Sequence, residues 1–413
     1  MEWLKRFTGF DRAVYAVAAG RFVNVFGSGA VYPFATLYFY HEVGIALSLV
    51  GLGLLANNVA LAVGTLVGGS LADRYGRKPV MVASLALSAP PLIAYAFVAT
   101  AAQFVVVAAI AGLTMGLLAP ASQALIADLT DGPDRERAYG LLKVASNAGF
   151  GSGFVAGGLL YGIAQTSVFV VNGLTCGVAA VLFAFLLPRG ERRETAAAES
   201  PRETLAAWGN AVGRPLLLWL AVLNVGFAVM YAQMQATVPV WAETNLGLTS
   251  EQLGTLYVLN PLVIVLFQLP VVDRIAGWRR TRGLALSAGF FAVSLLAVAA
   301  VPAVSWVVGI GLVGAFLVLR TVGEILHAPL ITALTSDIGA AGERGSQLSV
   351  MEVAKRAGFG LGSVVGGVFF DLGVPELLWP TLAVVSVLLA IGVLATERRV
   401  SADVNAGTPA AGD

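Results

Sequence analysis

Residues 119–158 read APASQALIADLTDGPDRERAYGLLKVASNAGFGSGFVAGG, and residues 328–367 read APLITALTSDIGAAGERGSQLSVMEVAKRAGFGLGSVVGG. At an offset of 209 the two stretches align without a gap and share 16 of 40 positions. Pro120 falls on Pro329, Asp128 on Asp337 and Arg135 on Arg344, and Ala148–Gly151 falls on Ala357–Gly360. Duplication explains a match of this length. In a strongly apolar chain, an internal repeat of this size implies two similar helical bundles that can rock about a shared site near the membrane midplane.

The rest of the sequence fits a membrane span count of about twelve. Of 413 residues, 58% are hydrophobic and only 12% charged, whereas a water-soluble surface needs roughly a quarter charged residues. The apolar residues fall into about twelve blocks: 14–40, 46–70, 79–99, 103–128, 138–161, 167–187, 215–241, 252–271, 283–302, 304–330, 346–369 and 378–395. Each is close to the 20 or so residues that cross about 30 Å of hydrocarbon. Apart from Arg21 and Arg320, the lysines and arginines gather at the two ends and around the connections after even-numbered blocks. Positive loops stay in the cytoplasm, so both termini are expected there, in the plasma membrane, with an even number of spans.

The expected organisation is an N-terminal six-helix bundle over 1–187, a polar cytoplasmic linker over 188–213, a C-terminal six-helix bundle over 214–396, and a disordered cytoplasmic tail over 397–413. The fold class is an all-α membrane protein, and the expected state is a monomer in a lipid bilayer. Cys176, alone in the chain, rules out an internal disulfide. No metal-ligand spacing, phosphate-binding loop or clustered nucleophile stands out. The expectation is therefore no metal, no cofactor, no nucleic-acid partner and no enzyme activity.

After the second block the chain reads Gly69-Ser70-Leu71-Ala72-Asp73-Arg74-Tyr75-Gly76-Arg77-Lys78-Pro79. Gly76 suits a tight turn, and Arg77 is placed to pair with an acid such as Asp128. This run resembles the loop 2–3 signature of the major facilitator superfamily, G-x-L-A-D-x-x-G-R-[KR]. The resemblance implies two pseudo-symmetric six-helix bundles and a cytoplasmic gate built on Gly69, Asp73, Gly76, Arg77, Lys78 and Asp128. A worn second copy implies Asp273, Arg274 and Asp337 as its counterparts. The alternative reading is that the basic residues of these loops are ordinary positive-inside anchors.

The fifth block resembles the family's glycine-rich antiporter signature through Gly149, Gly153, Gly157 and Gly158, with Phe154 in the usual proline position. Gly358, Gly362, Gly366 and Gly367 repeat it in the eleventh block. Small residues at this spacing equally serve close helix packing. Gly112 stands where many proton antiporters of the family carry arginine.

Charge inside hydrocarbon costs at least ~2.5–3.5 kcal/mol and asks for a reason. Arg320, Glu324 and His327 share one face of the tenth block, and Arg21 and Asn24 one face of the first. Asn57, Asn58, Tyr231, Gln233, Gln235 and Asn260 complete the substrate and coupling candidates. The asparagines are also able to act as interhelical ties. Burial favours a protonated carboxyl and a neighbouring arginine favours the charged form, so Glu324 is the candidate proton or cation carrier. The resemblance implies a secondary transporter of a small organic solute, most like the proton-coupled drug and small-solute efflux branch. Proton-coupled uptake is the alternative. A receptor without transport and a lipid-acting enzyme are the readings from other classes.

Overall fold

The computed structural model describes residues 8–188, 209, 213–338 and 344–406. These residues form long helices. In chain order they are α1 (Arg12–Val31, prolonged by Phe34–Leu37 and a π-helix at Tyr38–Glu42), α2 (Leu47–Tyr75), α3 (Arg77–Ala94), and α4 (Ala101–Gly116, carried on by Leu118–Leu129). Then come α5 (Gly132–Ile163), α6 (Ser167–Leu186), α7 (Pro215–Ala236, carried on by Val238–Leu246), and α8 (Ser250–Tyr257, carried on by Leu259–Ile275). The last are α9 (Arg280–Ala299), α10 (Trp306–Ile338), α11 (Arg344–Asp371), α12 (Pro375–Thr396) and the short α13 (Ala402–Asn405).

Ten of these are long and apolar enough to cross a membrane. The other two long helices, α5 and α11, carry the glycine-rich repeat, and polar residues fill their first turns. Phe97, Ile163, Phe185 and Val307 are 72–84% exposed. Lipid, not water, is the solvent in which such side chains are stable.

Two compact units emerge. The first holds Met1–Ile45, Ala56–Ala198 and Thr249–Pro261; the second holds Ala46–Leu55, Glu199–Leu248 and Leu262–Asp413. Within the first, α1 lies on α5 and α6, and α3 on α6; within the second, α7 lies on α11 and α9 on α10 and α12. Val17, Leu85, Leu125 and Phe183 sit in the core of the first unit. A smaller cluster of Val263, Ile264 and Ile325 lies in the second.

The units depart from the division expected at the linker, because 46–55 and 249–261 each pack with the other half's helices. Glycine makes this possible. A Cβ on Gly367 would meet the Leu47 backbone at 2.4 Å, and one on Gly158 would meet the Ser250 carbonyl oxygen at 2.6 Å. Most of the linker expected over 188–213 lies outside the described residues.

The tail also departs from expectation. Residues 397–406 are not loose: Val400 and Asn405 are buried. The Asn405 side-chain oxygen accepts from the Thr281 backbone N–H and hydroxyl, each at 3.1 Å. Glu397 pairs with Arg279, and Arg282 approaches it at 3.6 Å. The hydrogen bond from Arg279 is the main reason the Glu397 carboxyl lies below its ordinary pKa, so this pairing persists further into acid than a free glutamate would allow. Residues 407–413 lie outside the described part. Polar side-chain partners 115 or more residues away, together with the buried Val400, hold this segment, which its composition alone does not reveal.

The glycine stripes explain how α1 and α5 come so close. Gly149, Gly153 and Gly157 lie along the backbone of Phe22, Phe26 and Ala30. At Gly153 a methyl group would sit 2.3 Å from the Phe26 carbonyl oxygen. Gly153→Ala should lower the melting temperature of the purified protein, with overpacking of about 1–3 kcal/mol. Gly177→Ala, where nothing lies within 4 Å, should not. Equal melting temperatures would contradict this packing.

Candidate functional site

The structure builds two kinds of polar site, one in the loops after α2 and α8 and one inside the bundles. In the first loop, Gly76 has φ 94°, a conformation that glycine adopts without strain. It ends α2 and starts α3 at Arg77. That guanidinium meets Asp73 one turn back and approaches Asp128 at 3.4 Å. Lys78 donates to the Leu187 carbonyl at 2.6 Å. Gly69 faces open space. Asp73, Arg77 and Asp128 are thus brought together.

The second loop repeats this with a shift. Gly277 has φ 81°, but two residues, Trp278 and Arg279, precede the start of α9 at Arg280. Arg280, at the end of the run that starts with Asp273 and Arg274, takes the place of Arg77. It is 7% exposed and pairs with Asp337 at 2.7 Å. It also donates to the carbonyls of Ala333 and Val404 at 3.1 and 2.9 Å. The docked tail therefore helps to hold this arginine.

Inside the second unit, Arg320 and Glu324 on α10 pair at 2.8 Å. The arginine side chain is 5% exposed and the glutamate 32%, so the carboxylate is the accessible member. The Arg320 guanidinium lies 5.2 Å from the centre of the Tyr231 ring, close enough for a cation–π contact. The Tyr231 hydroxyl is 3.1 Å from His327 Nδ1. The His327 ring lies 4.2 Å from that of Phe227, and its Nε2 is buried without a hydrogen-bond partner. Four residues from α7 and α10 thus form one connected group: Glu324, Arg320, Tyr231 and His327.

Other candidates have helix-tying geometry. Gln233 is fully buried; its amide donates to the Gly362 carbonyl of α11 at 3.0 Å and its oxygen accepts from Thr237 at 2.8 Å. Asn57 donates to the Ala108 carbonyl of α4 at 2.9 Å. A Cβ on Gly112 would lie 2.2 Å from the Asn57 carbonyl, which explains why no arginine fits there. Asn24 donates to the Cys176 sulfur at 3.2 Å. Asn58, Gln235 and Asn260 are half-buried. Arg21 donates from Nε to the Ser146 hydroxyl at 3.0 Å. Phe154, in the expected proline position, packs edge-on to Tyr257 at 5.7 Å.

Along α11, Gly358 and Gly362 sit against the backbone of Val225 and Val229, and Gly366 against Gln233 and Thr237. At the end of this helix the structure adds a residue that the sequence reading missed. Asp371 accepts from the backbone N–H groups of Leu47 and Ser48, both at 2.9 Å. It therefore caps the start of α2. The start of α8 is capped by its own Thr249, whose hydroxyl accepts from Gln252 N while the Gln252 side chain accepts from Thr249 N. Thr249–Gln252 is readable as a capping box; Asp371 has no such local signal.

A family model described as Major Facilitator Superfamily matches residues 17–362. The chain is 25% identical over 400 residues to an uncharacterized MFS-type transporter, YttB, of Bacillus subtilis, covering 95% of this chain and 97% of the relative. It is 33% identical over 206 residues to the class C tetracycline resistance protein of Escherichia coli, covering 46% and 50%. It is 24% identical over 367 residues to the multidrug resistance protein MdtH of Aeromonas hydrophila, covering 88% and 90%. A mutant of the nucleoside transporter NupG superposes with a TM-score of 0.81 at 13% identity, covering 93% of this chain and 99% of that one. A structure described for proton-dependent oligopeptide transporters gives 0.74 at 18% identity, covering 94% and 99%. The duplicated helices, the paired loop arginines and the family match together make the chain a multi-pass membrane transporter, not an enzyme, of the major facilitator superfamily.

Proposed function

We propose that this transporter exports a small amphipathic organic solute in exchange for protons, by alternating access and without ATP. The observation that carries this reading is the Arg320–Glu324 pair, with its carboxylate accessible and its arginine buried against Tyr231. A carboxylate in that setting has two competing partners, a proton and a guanidinium. A solute that displaces either one shifts the balance, and such differential binding is what coupling requires. The likeness to resistance proteins favours export, and the distribution of lysine and arginine supports cytoplasmic termini.

The loop pairs supply the gate on the cytoplasmic side. Asp73→Ala or Arg77→Ala removes charge-assisted hydrogen bonds worth about 1.5–3 kcal/mol. Transport should fall by about tenfold or more, while the amount of inserted protein is unchanged. Wild-type rates in both variants would remove the gate from this reading.

Direction is tested in vesicles. Everted membranes energised to an acid interior should concentrate a transported compound from a panel of organic solutes, and right-side-out vesicles with an acid exterior should not. The opposite pattern identifies uptake.

A further inference from the structure

The inference rests on the transport reading above and names the chemistry of the solute. Arg21 lies nine residues into α1, about 14 Å along the helix from Arg12. It is a guanidinium in a membrane-spanning segment. Arg320, an intramembrane cation of the second unit, has its charge met by Glu324 at 2.8 Å. Arg21 has no such partner: its Nε donates to the Ser146 hydroxyl at 3.0 Å, and no carboxylate pairs with it among the described residues. Ser146 is itself committed, donating to the Leu142 carbonyl at 2.9 Å.

A neutral hydroxyl does not offset an intramembrane charge. The Nη1 and Nη2 groups present a planar fork of donors, the geometry that binds a carboxylate through two parallel hydrogen bonds. One turn along α5 from Ser146, Phe150 is half-buried and meets the Tyr32 ring at 6.2 Å. Cation and aromatic surface thus lie on neighbouring turns of one helix pair. The geometry points to Arg21 as the binding group for the carboxylate of an amphipathic organic acid whose aromatic or apolar body rests on this surface.

Naphthylacetate, an aryl carboxylate, and naphthylethanol, its neutral counterpart, test this by thermal shift on the purified protein in chloride buffer. A ligand that binds the folded state raises the melting temperature in proportion to its occupancy. Naphthylacetate should bind the wild type at least about tenfold more tightly than naphthylethanol, the scale of one ion-paired hydrogen bond. Arg21→Gln should abolish the difference, and Arg21→Lys should keep part of it. A carboxylate preference that survives in Arg21→Gln overturns the assignment. So does a wild type that binds both compounds equally, or neither. Arg21→Gln must retain wild-type size-exclusion behaviour, and its unchanged naphthylethanol affinity shows an intact fold. Failure of the transport reading shows elsewhere, as wild-type vesicles that concentrate no compound of any charge.

Discussion

Replacing Glu324 by glutamine should abolish pH-driven accumulation and leave solute exchange intact. The pair at 2.8 Å and the accessible carboxylate give the reason. Glutamine keeps the size and most hydrogen-bonding capacity of glutamate but has no proton to carry. A pH difference of one unit is worth about 1.4 kcal/mol per proton. With one proton exchanged per solute, that sustains about tenfold accumulation. The variant should fall to no accumulation at all, while radiolabelled solute still exchanges at equal pH on both sides. Exchange separates the proton role from a purely structural one, because a pair that merely fixed α10 would lose both activities together. If the Gln variant still concentrates solute against its gradient, another group carries the proton. His327 is next in line, since it shares the network through Tyr231.

Asp371→Ala should release the start of α2 from the end of α11. The carboxylate accepts two backbone N–H groups at 2.9 Å, at a helix end where the partial positive charge of the dipole also favours an anion. Losing such a cap costs about 0.5–2 kcal/mol, up to about thirty-fold in the ratio of closed to open forms. The site is legible by thiol labelling. Ser363 on α11 is fully buried, and its backbone lies against Gly51 of α2. In a Cys176→Ser background, Ser363→Cys should react with a maleimide several-fold to about thirty-fold faster once Asp371 is alanine. Asp371→Asn, which keeps one acceptor but no charge, should fall between. Equal rates in all three backgrounds would mean that the cap does not hold these helices together. Thr249→Ala is not an equivalent experiment, because the Thr249 cap of α8 is local and stays with its own helix when that helix moves.

The twelve long helices, the repeat and the Asp73–Arg77–Asp128 grouping were legible because each is a local pattern: apolar length, glycine spacing and a contiguous signature. The offset of 209 even anticipates matching contacts, since Gly158 and Gly367 each receive the start of a helix from the other half. Register failed where the repeat had drifted. Two extra residues after Gly277 place the pairing arginine at Arg280, three positions past that glycine, where Arg77 directly follows Gly76. Asp371 was hidden for a different reason. Its partners are 323 and 324 residues away, and its counterpart in the repeat is Gly162, which carries no side chain. Polarity in an apolar block made Gln233 a cavity candidate and Asn57 either that or an interhelical tie, but the carbonyl that each one binds on a neighbouring helix has no local sequence signal. Residues 397–406 of the tail were misjudged because hydrogen bonds with Arg280 and Thr281 hold them, and these partners are distant in sequence.

Proton-coupled transport is tested most directly with the purified protein alone in proteoliposomes carrying a pH-sensitive dye inside. With a pH difference imposed and no ATP present, a solute identified in the vesicle screen should accumulate on the acid side above its concentration outside. Protons should leave that side in step with it, and an ionophore that collapses the pH difference should release the solute. Solute that only equilibrates across the membrane, with no proton movement beyond that of empty liposomes, would contradict coupled exchange.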